Sequence, residues 1–307
     1  MLLIGDKAQL PPVGEERSPA LMPEVLRQYG LRVYECDLDE VLRQSQDSGI
    51  LWNATRIRRM VTDQSCPLPK IRFEGFGDIR SVPGDELIES LASSYSRVGL
   101  DDTVVVTRSN KRANIYNQGI RNSVLDREDE LCRGDQLMIV RNNYFWRKDE
   151  FIANGDHAVV QRVRNVHELY GFRFAEVTMQ FPDDDDYELT AMVILDTLTS
   201  EAPALTQEQN EQLYQAVMND YADIPLKADR IQKLRNDKYY NALQVKFAYA
   251  VTCHKAQGGQ WAHVYLDQGY MTDEMLSPDY LHWLYTAFTR STDRLFLVNW
   301  PTTQTET

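Results

Sequence analysis

Between residues 247 and 261 the chain reads FAYAVTCHKAQGGQW. An apolar, β-prone run, Phe247-Ala248-Tyr249-Ala250-Val251, gives way at once to Thr252, His254 and Lys255, and a turn follows at Gln257-Gly258-Gly259-Gln260. A second apolar run, His263-Val264-Tyr265-Leu266, ends at Asp267. The expected local structure is strand, polar loop, strand. Hydroxyl, imidazole and ammonium donors at the end of a buried strand, followed by two glycines, suit a surface that receives phosphates or a nucleic-acid backbone. A hairpin with a polar tip accounts for the same residues, and the stretch by itself does not decide between the two.

Composition bounds the elements that must position these donors. At 307 residues the chain can bury a large core and form two or three domains. A hydrophobic content of 43% and a charged content of 26% are those of a globular protein. No apolar run is long enough to span a membrane, and no signal peptide opens the sequence. The net charge of -13 argues against a protein coated with nucleic acid through a broad basic face, but leaves room for a local basic groove. Cys36, Cys66, Cys132 and Cys253 lie far apart without zinc-ligand spacing. Free thiols in a cytoplasmic protein, and no metal site of the chain's own, are therefore expected.

Residues 1–4 are apolar and run into Gly5-Asp6, as a core strand would. A fold rarely begins at the middle strand of a sheet, so the natural chain is expected to extend upstream. The paired prolines of Gln9-Leu10-Pro11-Pro12 forbid helix and strand there. Residues 31–36 read as another strand, and Asp37-x-x-Glu40 as a capping-box variant opening a helix. Ile50, Ala54, Ile57 and Val61 recur at helical spacing. Residues 66–84, rich in proline and glycine, form a loop-rich crossing and a domain boundary. Beyond it come an amphipathic helix on Leu87, Ile88, Leu91 and Tyr95, a buried strand over 102–107, and a helix capped by Ser109 and running to about Leu125. Continuous apolar strands alternating with helices mean a parallel sheet, whose ligand side lies at strand ends such as Thr107-Arg108-Ser109-Asn110.

From Cys132 the period changes to two. Residues 136–140 and 157–163 read as strands, and 175–181 and 189–193 alternate apolar and polar side chains, the signature of a small antiparallel β unit with one wet face. Tyr144, Phe145 and Trp146 are candidates for stacking on bases or for packing at a hairpin tip. The acidic run at 183–186 reads as a solvated loop. Thr206-x-x-Gln209 caps a helix carrying Leu213, Val217 and Tyr221, and Ile231 and Leu234 mark a second. A helix over residues 280–289, a last strand over 294–298 and a disordered polar tail over 302–307 complete the expectation.

Three of these stretches, in this order, resemble superfamily 1 helicases of the RecD/Dda-like, 5′-to-3′ branch. Residues 5–14, GDKAQLPPVG, look like motif III; residues 247–261 look like motif V; Leu284-Tyr285-Thr286-Ala287-Phe288-Thr289-Arg290 looks like motif VI. The resemblance implies an α/β fold: a RecA-like parallel-sheet motor domain over 81–131 and 245–307, an inserted SH3-like antiparallel β barrel with a helical excursion over 132–244, and a remnant of the first motor domain over 1–80. The family's Gly-Asp and Asn-Gly-Asp pattern matches Gly134-Asp135 and Asn154-Gly155-Asp156, and the barrel in relatives helps hold the translocating strand.

The same resemblance distributes roles. Gln9 would sense the terminal phosphate of ATP, Arg43 of Leu42-Arg43-Gln44 would reach the phosphates across the domain cleft, and Arg290 would be the arginine finger. Gly258 and Gln260 would line the nucleotide, although many relatives carry Glu where Gln260 stands. Thr107, Asn110, Thr252, His254 and Lys255 would contact single-stranded DNA. One departure limits the implication: no G-x-x-x-x-G-K-[ST] occurs anywhere, and no strand ends in an Asp-Glu pair before motif III. The chain therefore reads as the C-terminal part of an ATP- and Mg-dependent DNA helicase, inactive alone, binding neither cofactor tightly by itself and lacking its N-terminal motor domain. A non-catalytic nucleic-acid-binding or regulatory module with a motor-domain fold, or a scaffold whose barrel binds a peptide, are the other readings.

Overall fold

The continuously apolar runs over 103–107 and 264–266 form parallel strands in the computed structural model, and the alternating runs over 175–181 and 189–193 form antiparallel ones. The structure describes residues 1–37, 47–63, 67–147, 150–271 and 275–306. They make two compact units, one of Met1–Arg108 with Thr252–Thr307 and one of Ser109–Val251.

The first unit is built on a parallel sheet. β1 (Ile79–Val82), β10 (Ser291–Val298), β9 (Trp261–Asp267) and β2 (Thr103–Thr107) lie side by side in that order, and β8 (Ala250–Thr252), within which the chain passes between units, ends the row. All five side chains of β2 are buried, as are Val264, Tyr265 and Leu266 of β9. Apolar side chains on both faces require cover on both. α3 (Leu87–Val98) supplies part of it: Ser90 and Ser94 bond the Tyr265 hydroxyl at 2.8 and 2.7 Å. α1 (Pro23–Gln28) is short and has no buried residue.

α2 (Gly49–Thr62) begins where Ser48 accepts from Leu51 N–H, and the Asp78 carboxylate accepts from Gly49 N–H at 2.8 Å. Ile50, Ala54 and Ile57 are buried, as their spacing predicts, and α2 packs on α8 (Pro278–Phe288).

In the second unit α4 (Asn110–Ser123) starts at Ser109, whose side chain accepts from Arg112 N–H. A closed barrel follows: β3 (Gln136–Ile139), β4 (His157–Leu169), β5 (Phe172–Phe181), β6 (Tyr187–Ile194) and β7 (Leu243–Phe247). Its pairs are antiparallel except β6 with β7. The expected parallel sheet and antiparallel barrel are both present. The helical excursion, α5 (Gln207–Asp220) and α6 (Lys227–Arg235), opens with the expected capping box at Thr206 and Gln209. Leu213, Val217 and Leu234 pack on Phe172, Phe174, Met192 and Ile194, so the helices cover barrel residues that would otherwise face water.

Several expectations fail locally. Residues 1–4 are not a strand, and Met1, Leu2 and Ile4 are 97%, 81% and 83% exposed, because no described strand lies beside them to pair with. Residues 31–36 are likewise outside any strand and largely exposed. The supposed loop over 66–84 contains β1. The apolar run at 247–251 is not one strand: β7 ends at Phe247, the chain bends at Ala248-Tyr249, and β8 begins. Asn117 of α4 fixes the bend, donating to the Phe247 and Ala250 carbonyls at 3.3 and 2.9 Å and accepting from Ala250 N–H at 2.7 Å. The tail is ordered through residue 306: Ile71 N–H donates to the Gln304 carbonyl and Glu306 N–H to the Ile71 carbonyl, each at 2.8 Å. The acidic run is an exposed turn except at Asp184, which pairs with Arg147. Trp146 donates to the Asn241 carbonyl at 2.8 Å and packs against the helical cluster, whereas Tyr144 is 73% exposed. The helix expected after Asp37 lies outside the described residues, as does Cys66; Cys36, Cys132 and Cys253 are free thiols. Among the described residues no helix is long and apolar enough to cross a membrane.

Candidate nucleotide and nucleic-acid site

Residues 5–12 form a tight loop in the first unit. Ala8 N–H donates to Asp6 Oδ1 at 3.0 Å, and Gln9 N–H to the Asp6 carbonyl at 3.1 Å. α8 holds this loop along its length. The Tyr285 hydroxyl donates to Asp6 Oδ2 at 2.7 Å, His282 Nδ1 donates to the Ala8 carbonyl at 2.9 Å, and Leu10 N–H donates to Thr286 Oγ1 at 2.8 Å. Arg58 of α2 pairs with Asp6 Oδ1 at 3.7 Å. Burial, with Asp6 beside it, pushes the Tyr285 hydroxyl up to about 12, so it remains a donor at neutral pH. Ala8 and Leu10 are buried and Gln9 between them is half-buried.

The stretch after β8 differs from the loop its polarity predicts. Thr252, half-buried and extended, precedes a single helical turn, α7 (Cys253–Ala256), without a side-chain capping bond to it. Cys253 points inward, its Sγ 3.5 Å from the Trp283 carbonyl, and burial pushes its thiol up to about 12. His254 is exposed; Lys255 is half-buried, and loss of hydration lowers its pKa.

Gln257 Nε2 then donates to the Leu10 carbonyl at 2.9 Å, joining this turn to the loop at 5–12. Both glycines that follow are required. Gly258 has φ of +92°, and a Cβ on Gly259 would lie 2.4 Å from Cη2 of the Trp261 ring. Gln260 is exposed. Arg290, 4% exposed, donates through Nη1 to the Gly259 carbonyl at 3.0 Å, through Nε to the Thr286 carbonyl at 3.0 Å and through Nη2 to Thr289 Oγ1 at 3.1 Å.

The first unit thus brings together Gln9, Thr252, His254, Lys255, Gly258, Gln260 and Arg290. Thr107 also belongs to it, at the end of β2, but has no exposed surface to offer a ligand. Asn110, half-buried, opens α4 in the second unit. Arg43 lies outside the described residues. Sequence reasoning missed Asp6, Gln257, His282, Tyr285 and Thr286, although each falls inside or beside a stretch already singled out for its motif. Among the described residues no cluster of three His, Cys, Asp or Glu side chains is arranged to hold a metal.

Residues 247–298 match the UvrD-like helicase C-terminal domain. The match runs from the last residue of β7 to the last of β10 and takes in both the Gln257–Gln260 turn and Arg290, in agreement with the superfamily 1 resemblance of those stretches. Among solved structures the chain is similar to the Pif1 helicase from Bacteroides in complex with ADP-AlF3 and ssDNA, at 14% identity and a TM-score of 0.49 over 99% of this chain. It is also similar to the Pif1 helicase from Candida albicans, at 15% identity and a TM-score of 0.49 over 99% of this chain. It spans 63% and 64% of those two chains. No curated protein sequence matches it significantly.

Proposed function

We propose that this chain is the C-terminal part of an ATP-dependent DNA helicase, of the RecD/Dda-like 5′-to-3′ branch, that translocates on single-stranded DNA and unwinds duplex. The observation that carries the reading is the pair of bonds Gln257–Leu10 and Arg290–Gly259, which tie the motif III, V and VI stretches into one unit. The match to a helicase C-terminal domain over the last two of those stretches supports it.

ATP and Mg, held by an N-terminal motor domain that carries the phosphate loop, would supply the phosphoryl group and its charge neutralisation. Gln9, Arg43 and Arg290 would face the phosphates, and Gly258 and Gln260 the nucleotide. Arg290 fits this duty only in part as it stands, because its guanidinium is buried and turned onto the oxygens of Thr286, Gly259 and Thr289. The exposed apolar side chains of residues 1–4 offer a surface for the N-terminal domain to cover. Thr252, His254, Lys255 and Asn110 would meet the strand, and the barrel, SH3-like in this reading, would help hold it.

Exposed His254 and half-buried Lys255 beside the Gln257–Gln260 turn also fit a second reading, a nucleic-acid-binding module that does not hydrolyse ATP. The experiment is ATP hydrolysis by this chain at low salt, with and without single-stranded DNA. No turnover in either condition, with hydrolysis gained when an N-terminal motor domain is supplied, is the expected result. DNA-stimulated turnover by the chain alone would sink the proposal, and binding without rescue would leave the second reading standing.

A further inference from the structure

Thr107 is buried, but the residue after it is not. Arg108 is exposed at the C-terminal end of β2, and among the described residues no carboxylate lies within ion-pair distance of it. Its guanidinium carbon sits 5.8 Å from the ring centroid of Tyr280 and 5.9 Å from that of Trp283, both on α8. Met271 Sδ, a weak acceptor, meets Nη1 at 2.5 Å. A guanidinium resting against aromatic faces keeps its charge and its planar N–H fork, and is held in one orientation before any ligand arrives.

Trp283 connects this arginine to α7. Its ring lies beneath Arg108, and its carbonyl accepts from Cys253 Sγ, between Thr252 and His254. Exposed Arg108 thus stands at the C-terminal end of β2, the edge at which parallel sheets receive ligands, and α7, which packs beside β2, carries exposed His254 and half-buried Lys255. In a chain of net charge -13 these cationic and proton-donating groups are a local feature.

We propose that Arg108 is a further contact to the phosphate backbone of single-stranded nucleic acid, supplying on the β2 side the charge that buried Thr107 cannot. The proposal rests on the nucleic-acid reading given above and adds a residue to it.

The test is fluorescence-anisotropy titration of this chain with labelled dT and dA oligonucleotides over a range of salt. Arg108→Gln is expected to weaken binding roughly tenfold at low salt, equally for both sequences, and to flatten the log–log salt slope by about 0.7. Arg108→Lys keeps the charge and is expected to retain the slope while losing part of the affinity. Thermal unfolding of both variants separates a lost contact from a lost fold, and the Lys variant carries the test if the Gln variant unfolds. Unchanged affinity and slope in a folded Arg108→Gln protein overturns this proposal alone. A loss confined to one base sequence also overturns it, because phosphates are the same in both. Failure of the unaltered chain to bind at any salt overturns the nucleic-acid reading and this proposal with it.

Discussion

Arg290 donates a hydrogen bond to the carbonyl of Gly259 at 3.0 Å, and through it the end of α8 holds the turn that follows α7. The turn has little freedom on its other side. Trp261 fills the space where a Cβ of Gly259 would stand, and the Trp261 N–H donates to the Arg290 carbonyl at 3.0 Å. Arginine and turn thus hold each other through both main chain and side chain.

Substitution at either end should therefore be felt at the other. Gly259→Ala must displace the Trp261 ring, and a loss of about 1–3 kcal/mol in stability is expected from forced repacking. Arg290→Lys keeps the charge but cannot reach three oxygens in one plane; a loss of about 1–3 kcal/mol is expected from acceptors left unpaired. Urea unfolding followed by tryptophan fluorescence measures both. The double variant should lose less than the sum of the two, because the partners are shared.

A second prediction concerns the barrel unit. Asp135 is fully buried and accepts from Arg121 Nε and Nη2 at 3.1 Å each, from Arg127 Nη1 at 2.9 Å and from the Tyr249 hydroxyl at 2.9 Å. Arg121 is itself only 2% exposed. Asp135→Asn leaves two guanidinium groups without a counter-charge, and a loss of about 3–5 kcal/mol is expected. Tyr249→Phe removes a neutral hydroxyl that donates to Asp135 and accepts from Gln136 N–H at 3.2 Å and from Arg127, and is expected to cost about 2 kcal/mol. Comparable losses for the two variants in denaturant titration would show that the charge pairing carries no special weight.

The pH dependence of stability is expected to have an identifiable source in His263. The ring is buried, with Nδ1 2.8 Å from Ser94 Oγ and Nε2 3.3 Å from Asp293 Oδ2. Burial lowers its pKa below the ordinary 6.5, and Asp293 only partly opposes that shift. The folded state therefore holds the neutral ring more strongly than the unfolded chain does. Its contribution is present above about pH 6.5 and is lost as pH falls from there through the lowered value. Thermal midpoints measured between pH 8 and pH 5 should fall on the acid side, and His263→Gln should flatten that limb. An unchanged acid limb in the variant would assign it to the carboxylates instead.

Thiol chemistry offers a simpler check. Burial pushes Cys253 up to about 12, so at pH 7.5 it carries almost no thiolate. Cys36 is exposed. A maleimide followed by peptide mass spectrometry should modify Cys36 within minutes and leave Cys253 untouched until denaturant is added. Labelling of Cys253 in the folded protein would mean that α7 opens readily.

Much of this architecture is written in short-range pattern. The run TVVVT at 103–107 specifies a buried strand, Thr206 with Gln209 specifies the start of α5, and alternation over 175–181 and 189–193 specifies paired antiparallel strands. These signals are local because side-chain period and end-capping act within a few residues of backbone. Likewise the motif-bearing stretches announce themselves by residue type, and the glycine pair at 258–259 by the turn it must make.

Partnership at long range was settled by the folded chain alone. Sequence could not tell that an apolar run over 247–251 divides between barrel and sheet, since both halves are equally apolar and only Asn117 and the neighbouring strands distinguish them. Nor could it tell that residues 1–4 stay exposed, because apolar side chains are buried only where another surface meets them. The bonds that assemble the site span 276 residues from Leu10 to Thr286, 247 from Gln257 to Leu10 and 31 from Arg290 to Gly259. Residue type fixed which groups could donate and accept; packing of α8 against the loop and the turn decided which donor met which oxygen, and left Thr107 buried and Arg108 exposed beside it.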